Sequence, residues 1–251
     1  IIFHDLSFII VFNETKSLID MTDAQRPKVI FPLRVKGLQI QNNKDLFPVG
    51  KIYCVGKNYE DHAEEMGGNI DIDQPFFFSK PPQAITQSPS IPFPTQTKDL
   101  HHEVELVVFL RSECVNIEPE QAYQHIFGYA VGVDLTKRDL QTAAKDNRKP
   151  WDLSKGFDNS GPISSILKNE GVILKEGEIC LSVNGQEKQS SNISHMAWGV
   201  DEIISWLSKF ITLYPGDIIF TGTPAGVGSL QPGDRVNATI QSVGDLSFKL
   251  V

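Results

Sequence analysis

Residues 100–110 read Leu-His-His-Glu-Val-Glu-Leu-Val-Val-Phe-Leu, a polar start that turns into an unbroken apolar run. That run predicts a buried strand over 104–110, and the two-residue period of a strand puts Glu103 and Glu105 on one face. Residues 52–55 predict a second compact apolar strand, leading into a helical stretch over 56–66 that Gly67 and Gly68 close. Phe76-Phe77-Phe78 predicts a further buried strand, and the proline-rich 81–94 an irregular or edge-like passage. A short helix over 118–126, with Pro119 in its first turn, precedes a strand over 127–135. Thr136 and Asp139 have the spacing of a capping box for a helix that follows.

The second half is punctuated by turns. Asn184-Gly185 after an apolar 179–183 is a hairpin signal. Residues 200–213 place Ile203, Ile204, Leu207 and Ile211 on one face of an amphipathic helix. Two Pro-Gly-Asp turns, at Pro215 and Pro232, flank a strand over 218–221 and a glycine-rich loop over 221–228. Residues 235–241 and 246–251 close the chain as a hairpin around Val243-Gly244-Asp245. Many short strands and few modest helices predict a β-rich α+β fold, a roll or sandwich with peripheral helices rather than a doubly wound sheet.

The chain divides into residues 1–20, 21–50 and 51–251. Residues 21–50 read as short strands and turns, with Gly37 and Asn42-Asn43 as turn signals. The chain does not begin with Met, and the polar stretch after Met21 looks like an ordinary start, so residues 1–20 are expected to be an extension carrying no chemistry. The apolar opening is too short and interrupted to span a bilayer and lacks the basic start of a signal peptide.

Composition narrows the function. With 251 residues and 40% hydrophobic content the chain can bury a full core. Its formal charge is −8 and it has no basic run, which argues against nucleic acid and anionic membrane as partners. Cys54, Cys114 and Cys180 are odd in number and far apart, which fits a reducing compartment such as the cytoplasm and neither a disulfide framework nor a zinc site.

Candidate chemistry centres on the carboxylates. Glu103 and Glu105, side by side at the mouth of an apolar strand, repel each other and lose solvation, so they call for a cation, an arginine cluster or a shared proton. A hard divalent ion suits all-oxygen ligands. The same pair also fits a half-exposed strand with both glutamates in water. His62 and Glu65 share a helix face three residues apart, as an active pair or as an ordinary surface pair. Asp134, at a strand's carboxyl end, can be a ligand or a cap. Arg138 and Gln141 also share a face, and Lys155 lies alone between hydrophobic anchors, a setting in which most lysines are simply solvated. The 221–228 loop lacks the Gly-Lys-Ser/Thr ending of a Walker loop, but its amides and threonine hydroxyls could cradle a carboxylate.

Set in order, five stretches resemble the fumarylacetoacetate hydrolase family: Gly-Lys-Asn-Tyr-Glu-Asp-His at 56–62, His-His-Glu-Val-Glu-Leu at 101–106, Gly-Tyr-Ala-Val-Gly-Val-Asp-Leu-Thr-Lys-Arg-Asp at 128–139, Lys-Pro-Trp-Asp-Leu-Ser-Lys-Gly-Phe-Asp at 149–158, and Pro-Gly-Asp-Ile-Ile-Phe-Thr-Gly-Thr-Pro-Ala-Gly-Val-Gly at 215–228. The resemblance runs from about Ile52 to the C-terminus and points to the small-domain branch, which includes acylpyruvate hydrolases and oxaloacetate decarboxylases or tautomerases. It implies a mixed β-sandwich roll and a homodimer. It implies Glu103, Glu105 and Asp134 as ligands of Mg2+ or Mn2+, Lys155 as the active-site lysine, and His62 and Glu65 as a pair on a lid helix. Arg138, Gln141 and Thr223 are the implied substrate contacts.

The expected function is metal-dependent chemistry on small 2-oxo diacids through an enolate, foremost keto–enol tautomerisation of oxaloacetate, with decarboxylation as a companion activity. Two alternatives stand beside it: C–C hydrolysis of an acylpyruvate or fumarylpyruvate, and a binding protein that holds metal and diacid without turnover. Lys155, desolvated near a cation, is expected to have a lowered pKa.

Overall fold

The computed structural model describes residues 35–67 and 69–251; the proposed extension over 1–20, and residues 21–34 of the stretch read as strands and turns, lie outside them. Strand Val104–Leu110 is buried at every position and sits inside a six-stranded mixed sheet. Across that sheet the order is Leu167–Lys168, Ile126–Val133, Val104–Leu110, Ile218–Phe220, Ile52–Gly56 and Phe76–Lys80. Neighbours are antiparallel except Ile218–Phe220 and Ile52–Gly56, which run parallel. A five-stranded sheet, Gln186–Asn192, Glu178–Val183, Arg235–Ile240, Gly244–Leu250 and Ser90–Ile91, covers one face.

Period-two alternation explains why an all-apolar strand is wanted at the centre. Leu106, Val108 and Leu110 pack with Leu181, Ala238 and Phe248 of the covering sheet. Val107 and Phe109 point the other way, into a smaller core with Leu38, Phe47, Ile85 and Ile163. Both faces are dry, as a continuous apolar run requires. Glu105 shares the face of Val107 and Phe109, so the glutamates look into the second core rather than between the sheets.

The Asn184-Gly185 hairpin forms, with φ of 53° and 81°, the left-handed pair that a tight two-residue turn demands. Four expectations are corrected. Strand Phe76–Lys80 is an edge strand, which leaves Phe76 45% exposed with its ring 5.0 Å from that of Trp151. The helix predicted over 200–213 ends at Phe210, because Leu213 exchanges backbone hydrogen bonds with Cys114. Residues 119–125 form a 3-10 helix, capped by Glu118 and Gln121. Thr136 caps nothing: Thr136–Lys137 is a short strand beside Leu100–His102, and the helix starts at Arg138. Asp139 instead binds Thr97, the Lys98 amide and the Leu140 amide.

No helix among the described residues is long and apolar enough to cross a membrane. All three cysteines are free thiols.

Candidate active site

Glu103 occupies the break between strand Leu100–His102, which pairs in a small three-stranded sheet, and strand Val104–Leu110. Register then sets its neighbour. Val104 lies opposite Val133, so Glu103 faces Asp134 one step beyond the ladder, and the Asp134 amide donates to the Glu103 carbonyl at 2.8 Å. Glu105 stands opposite Gly132, where a Cβ would lie 2.4 Å from Val107, so the strands can close there only with glycine. Ligand oxygens of Glu103, Glu105 and Asp134 all lie within 4.8 Å of one another, and all three residues are buried.

Three cations meet this cluster. Lys155, at the end of the short helix Asp152–Lys155, places its ammonium 2.6 Å from Glu103 Oε2 and 2.7 Å from Asp134 Oδ2. Arg138, in the first turn of helix Arg138–Asp146, donates from Nη2 to Glu103 and from Nη1 to Gln141. Lys80, at the end of the edge strand, has its Nζ 2.7 Å from Asp134 Oδ1. It also donates to the carbonyls of Lys155 and Ser160 and to the Ser160 hydroxyl. Asp134 Oδ1 is thus buried in an ion pair with Lys80, while Oδ2 is paired with Lys155.

The electrostatics single out Glu105. Burial alone would raise Glu103, but Lys155 and Arg138 outweigh it and hold that carboxyl well below the usual carboxylate range. Glu105 receives the Gly222 amide at 2.7 Å and forms no ion pair among the described residues. Burial, and then the charges of Asp134 and Glu103, push its carboxyl well above the usual range. A buried carboxylate with no ion-pair partner among the described residues, converging with two others within 4.8 Å beside a cavity of about 30 Å3, suits a small hard cation. The acidic set thus fits the metal that the resemblance implies.

Without a metal ion, Lys155 departs from the lowering expected beside a cation. Burial pushes its pKa down, but Asp134 and Glu103 outweigh that and hold it above the ordinary lysine value, so the side chain is an ammonium ion in this arrangement.

The cavity above the carboxylates is lined by His62, Glu103, Glu105, Arg138, Gln141, Lys155 and Thr223, seven of the nine residues singled out from the sequence. Asp134 reaches it through Lys155, and Glu65 through His62. His62 Nδ1 lies 3.2 Å from Glu65 Oε2 on helix Glu60–Glu65. Burial lowers the His62 pKa against the opposing pull of Glu103 and Glu65, so the imidazole is neutral at pH 7.

The 221–228 loop is a carboxylate cradle, although the carboxylates it holds are the protein's own. The Gly222 amide donates to Glu105 and the Gly226 amide to Glu65. Both glycines have left-handed φ, +98° and +93°, and a Cβ on Gly226 would lie 2.1 Å from the Lys188 carbonyl oxygen. Thr223 accepts a hydrogen bond from Gln189 at 2.8 Å.

Two contributors were not foreseen. Gln189 donates to Thr223 and to the Pro224 carbonyl while its oxygen accepts from Val104 N, tying the carboxylate strand to the glycine-rich loop. It lies in the polar run Gln186–Asn192, which gives no signal for burial. Lys80 ends an apolar strand, a pattern that marks a buried cation only once the carboxylates it meets are known.

The comparisons with known proteins agree with this geometry. A family profile described as "Fumarylacetoacetate (FAA) hydrolase C-terminal" matches residues 51–251. A fumarylpyruvate hydrolase of Ralstonia sp is 40% identical over 186 residues, covering 73% of this chain and 97% of that protein. The mitochondrial oxaloacetate tautomerase FAHD1 of Homo sapiens is 38% identical over 201 residues, covering 79% of this chain and 90% of that protein. The crystal structure of fumarylpyruvate hydrolase from Pseudomonas aeruginosa in complex with Mn2+ and pyruvate superposes with a TM-score of 0.86 at 38% identity, covering 90% of this chain and 99% of that one. The match over 201 of the 251 residues, the mixed-sheet fold and the ordered motifs together establish that the chain belongs to the fumarylacetoacetate hydrolase family.

Proposed function

We propose that the chain is a divalent-metal-dependent enzyme that carries small 2-oxo diacids through an enolate, with keto–enol tautomerisation of oxaloacetate as its leading activity. One observation carries the reading: an ammonium group fixed by Glu103 and Asp134 at the floor of a cavity whose walls supply Arg138 and Gln141. Similarity to an oxaloacetate tautomerase supports the substrate class.

Glu103, Glu105 and Asp134 would hold the ion; their oxygen-only set suits Mg2+ as well as Mn2+. When bound, a divalent cation supplies Lewis-acid stabilisation of negative charge on the substrate's keto oxygen. Arg138 and Gln141 orient the substrate carboxylate, the guanidinium through its paired donors. Lys155, as an ammonium, gives its proton to C3 of the enol form. The enol hydroxyl proton leaves to solvent, and the amine regains a proton from water. In the reverse direction the neutral amine takes the C3 proton.

A second reading, C–C hydrolysis of an acylpyruvate, is favoured by the His62–Glu65 pair. A neutral imidazole oriented by a carboxylate can take a proton from water attacking a distal carbonyl. Glu65 is itself held by the Gly226 amide, which fixes the direction of the ring.

The test is a panel of oxaloacetate and acetylpyruvate with Mg2+, Mn2+ or chelator. Enzyme and metal together should accelerate the loss of enol-oxaloacetate absorbance, and chelator should stop it. Activity indifferent to chelator, or no turnover of any 2-oxo acid, would overturn the proposal. Loss of acetylpyruvate cleavage in His62→Ala, with tautomerisation kept, would assign the pair to hydrolysis alone.

A further inference from the structure

Strand Gln186–Asn192 is polar throughout and forms an edge of the five-stranded sheet, yet one of its residues, Gln189, is buried with 1% of its surface exposed. The register explains how. Glu187 pairs with Ser182 and Gln189 with Leu181, so Lys188 is the extra residue of a β-bulge, a device that re-aims the neighbouring side chain. The 221–228 loop packs on this bulge, since a Cβ on Gly226 would meet the Lys188 carbonyl oxygen. Gln189 is thereby turned into the gap between strand Val104–Leu110 and the loop.

Every hydrogen-bonding position of the Gln189 amide is filled. Its oxygen accepts from the Val104 amide at 3.1 Å and from His102 Nδ1 at 3.0 Å, and its nitrogen donates to the Pro224 carbonyl at 2.9 Å and to Thr223 Oγ1 at 2.8 Å. The backbone partners fix which end is which, because the Val104 N–H can only donate and the Pro224 carbonyl can only accept. Thr223 is therefore an acceptor toward Gln189, and its own proton is left for another direction. That proton meets no acceptor among the described residues. Thr221, two residues earlier in the same loop, differs: it donates to the Leu106 carbonyl at 2.9 Å. Thr223 is 3% exposed and lines the carboxylate cavity, so the free side of its hydroxyl faces the space in which a ligand would sit.

We propose that Gln189 is a positioning residue: it holds Thr223 Oγ1 as an acceptor and so keeps the threonine proton aimed into the cavity, as a donor to an anionic oxygen of the bound 2-oxo acid. This rests on the 2-oxo acid reading above and adds a polarity to it. A buried glutamine on a bulged edge strand, touching no ligand itself, sets which way a hydroxyl in the cavity wall points. Without the amide nitrogen that hydroxyl is a free rotor with three staggered positions, and binding must then order it.

The test is calorimetric binding of pyruvate, a 2-oxo acid with a single carboxylate, to the Mn2+-loaded protein, together with the KM for oxaloacetate. Thr223→Val should weaken pyruvate binding about 10-fold, the loss of one hydrogen bond to a charged group. Gln189→Met frees the hydroxyl and should weaken it about 3-fold. Gln189→Glu keeps the contacts with Val104 and His102 but turns a second oxygen to Thr223, which captures the threonine proton, so the loss should approach that of Thr223→Val, about 10-fold. In a Thr223→Val background each Gln189 substitution should weaken pyruvate clearly less than it does in the wild type, and KM should follow the same pattern with kcat changed less. Mn2+ binding shows which variants are folded, and Gln189→Glu decides the matter if Gln189→Met is not. Losses as large in Thr223→Val as in the wild type, or a Gln189→Glu that binds pyruvate as the wild type does, would overturn the positioning role alone. A wild type that neither binds pyruvate nor turns over oxaloacetate would sink the 2-oxo acid reading, and the inference with it.

Discussion

Replacing Lys155 with methionine removes the cation between Glu103 and Asp134 while keeping most of the aliphatic stem, so little cavity is created. The three side chains are 3%, 5% and 0% exposed, which means solvent cannot take over the role of the lost ammonium. Breaking a buried pair by deleting one partner costs about 3–5 kcal/mol. For a chain of this size about 2–4 °C of melting temperature goes with each kcal/mol, so the metal-free variant should melt roughly 6–20 °C below the wild type. Arg138 still reaches Glu103 and Lys80 still reaches Asp134, which places the expectation toward the lower end. A divalent ion seated among the carboxylates replaces part of the missing charge. At a free metal concentration of 100 times Kd it contributes about 2.7 kcal/mol in any variant that binds it. Lys155→Met should bind it more tightly than the wild type and recover more of its melting temperature. Differential scanning calorimetry in chelator and in Mn2+, run on both proteins, reads all of this, and a tautomerase assay on the metal-restored variant should show no activity. An unchanged melting temperature in chelator would refute the role of Lys155 as the internal counter-charge. Mn2+ that stabilises neither protein would refute the metal site.

His62 gives a pH prediction: its pKa is lowered from 6.5, so the base form dominates at neutral pH and is lost only as pH falls through that lowered value. The acid limb of the acetylpyruvate cleavage profile should lie below pH 6.5 and be absent from the residual rate of His62→Ala. Below pH 6.5 the unfolded chain takes up the His62 proton first, so that part of the stability declines there, and urea titrations across pH should show a shallower decline in His62→Ala. Gly222→Ala adds a Cβ 2.7 Å from Asn58 at a φ of +98°, which must move the amide off Glu105; a stability loss of about 1–3 kcal/mol with weaker Mn2+ binding is expected by calorimetry. Arg138→Lys keeps the charge but loses the fork that holds Glu103 and Gln141 together; KM for oxaloacetate should rise about 10-fold, with a smaller change in kcat.

What the sequence determined by itself was local and directional. The apolar run 104–110 places Glu103 and Glu105 on one face whatever surrounds them, because side-chain direction in a strand depends only on the two-residue period. Asn184-Gly185 fixes its hairpin for the same kind of reason, since few residues accept two left-handed φ angles in succession. The helix over 200–210 follows from its stripe of Ile203, Ile204 and Leu207, and its end does not, because the strand-like contact of Leu213 with Cys114 lies far off in the chain. The family resemblance implied nine site residues, and seven of them line one cavity.

Tertiary structure decided what those residues meet. Glu103 lies beside Asp134 because Val104 pairs with Val133, a register that no local pattern encodes. Lys80 and Gln189 joined the site from an edge strand and a polar hairpin, where sequence gives no sign of burial. The metal-free pKa of Lys155 runs opposite to the lowering expected beside a cation, because it sums burial against charges delivered by separate segments, and two carboxylates reached it.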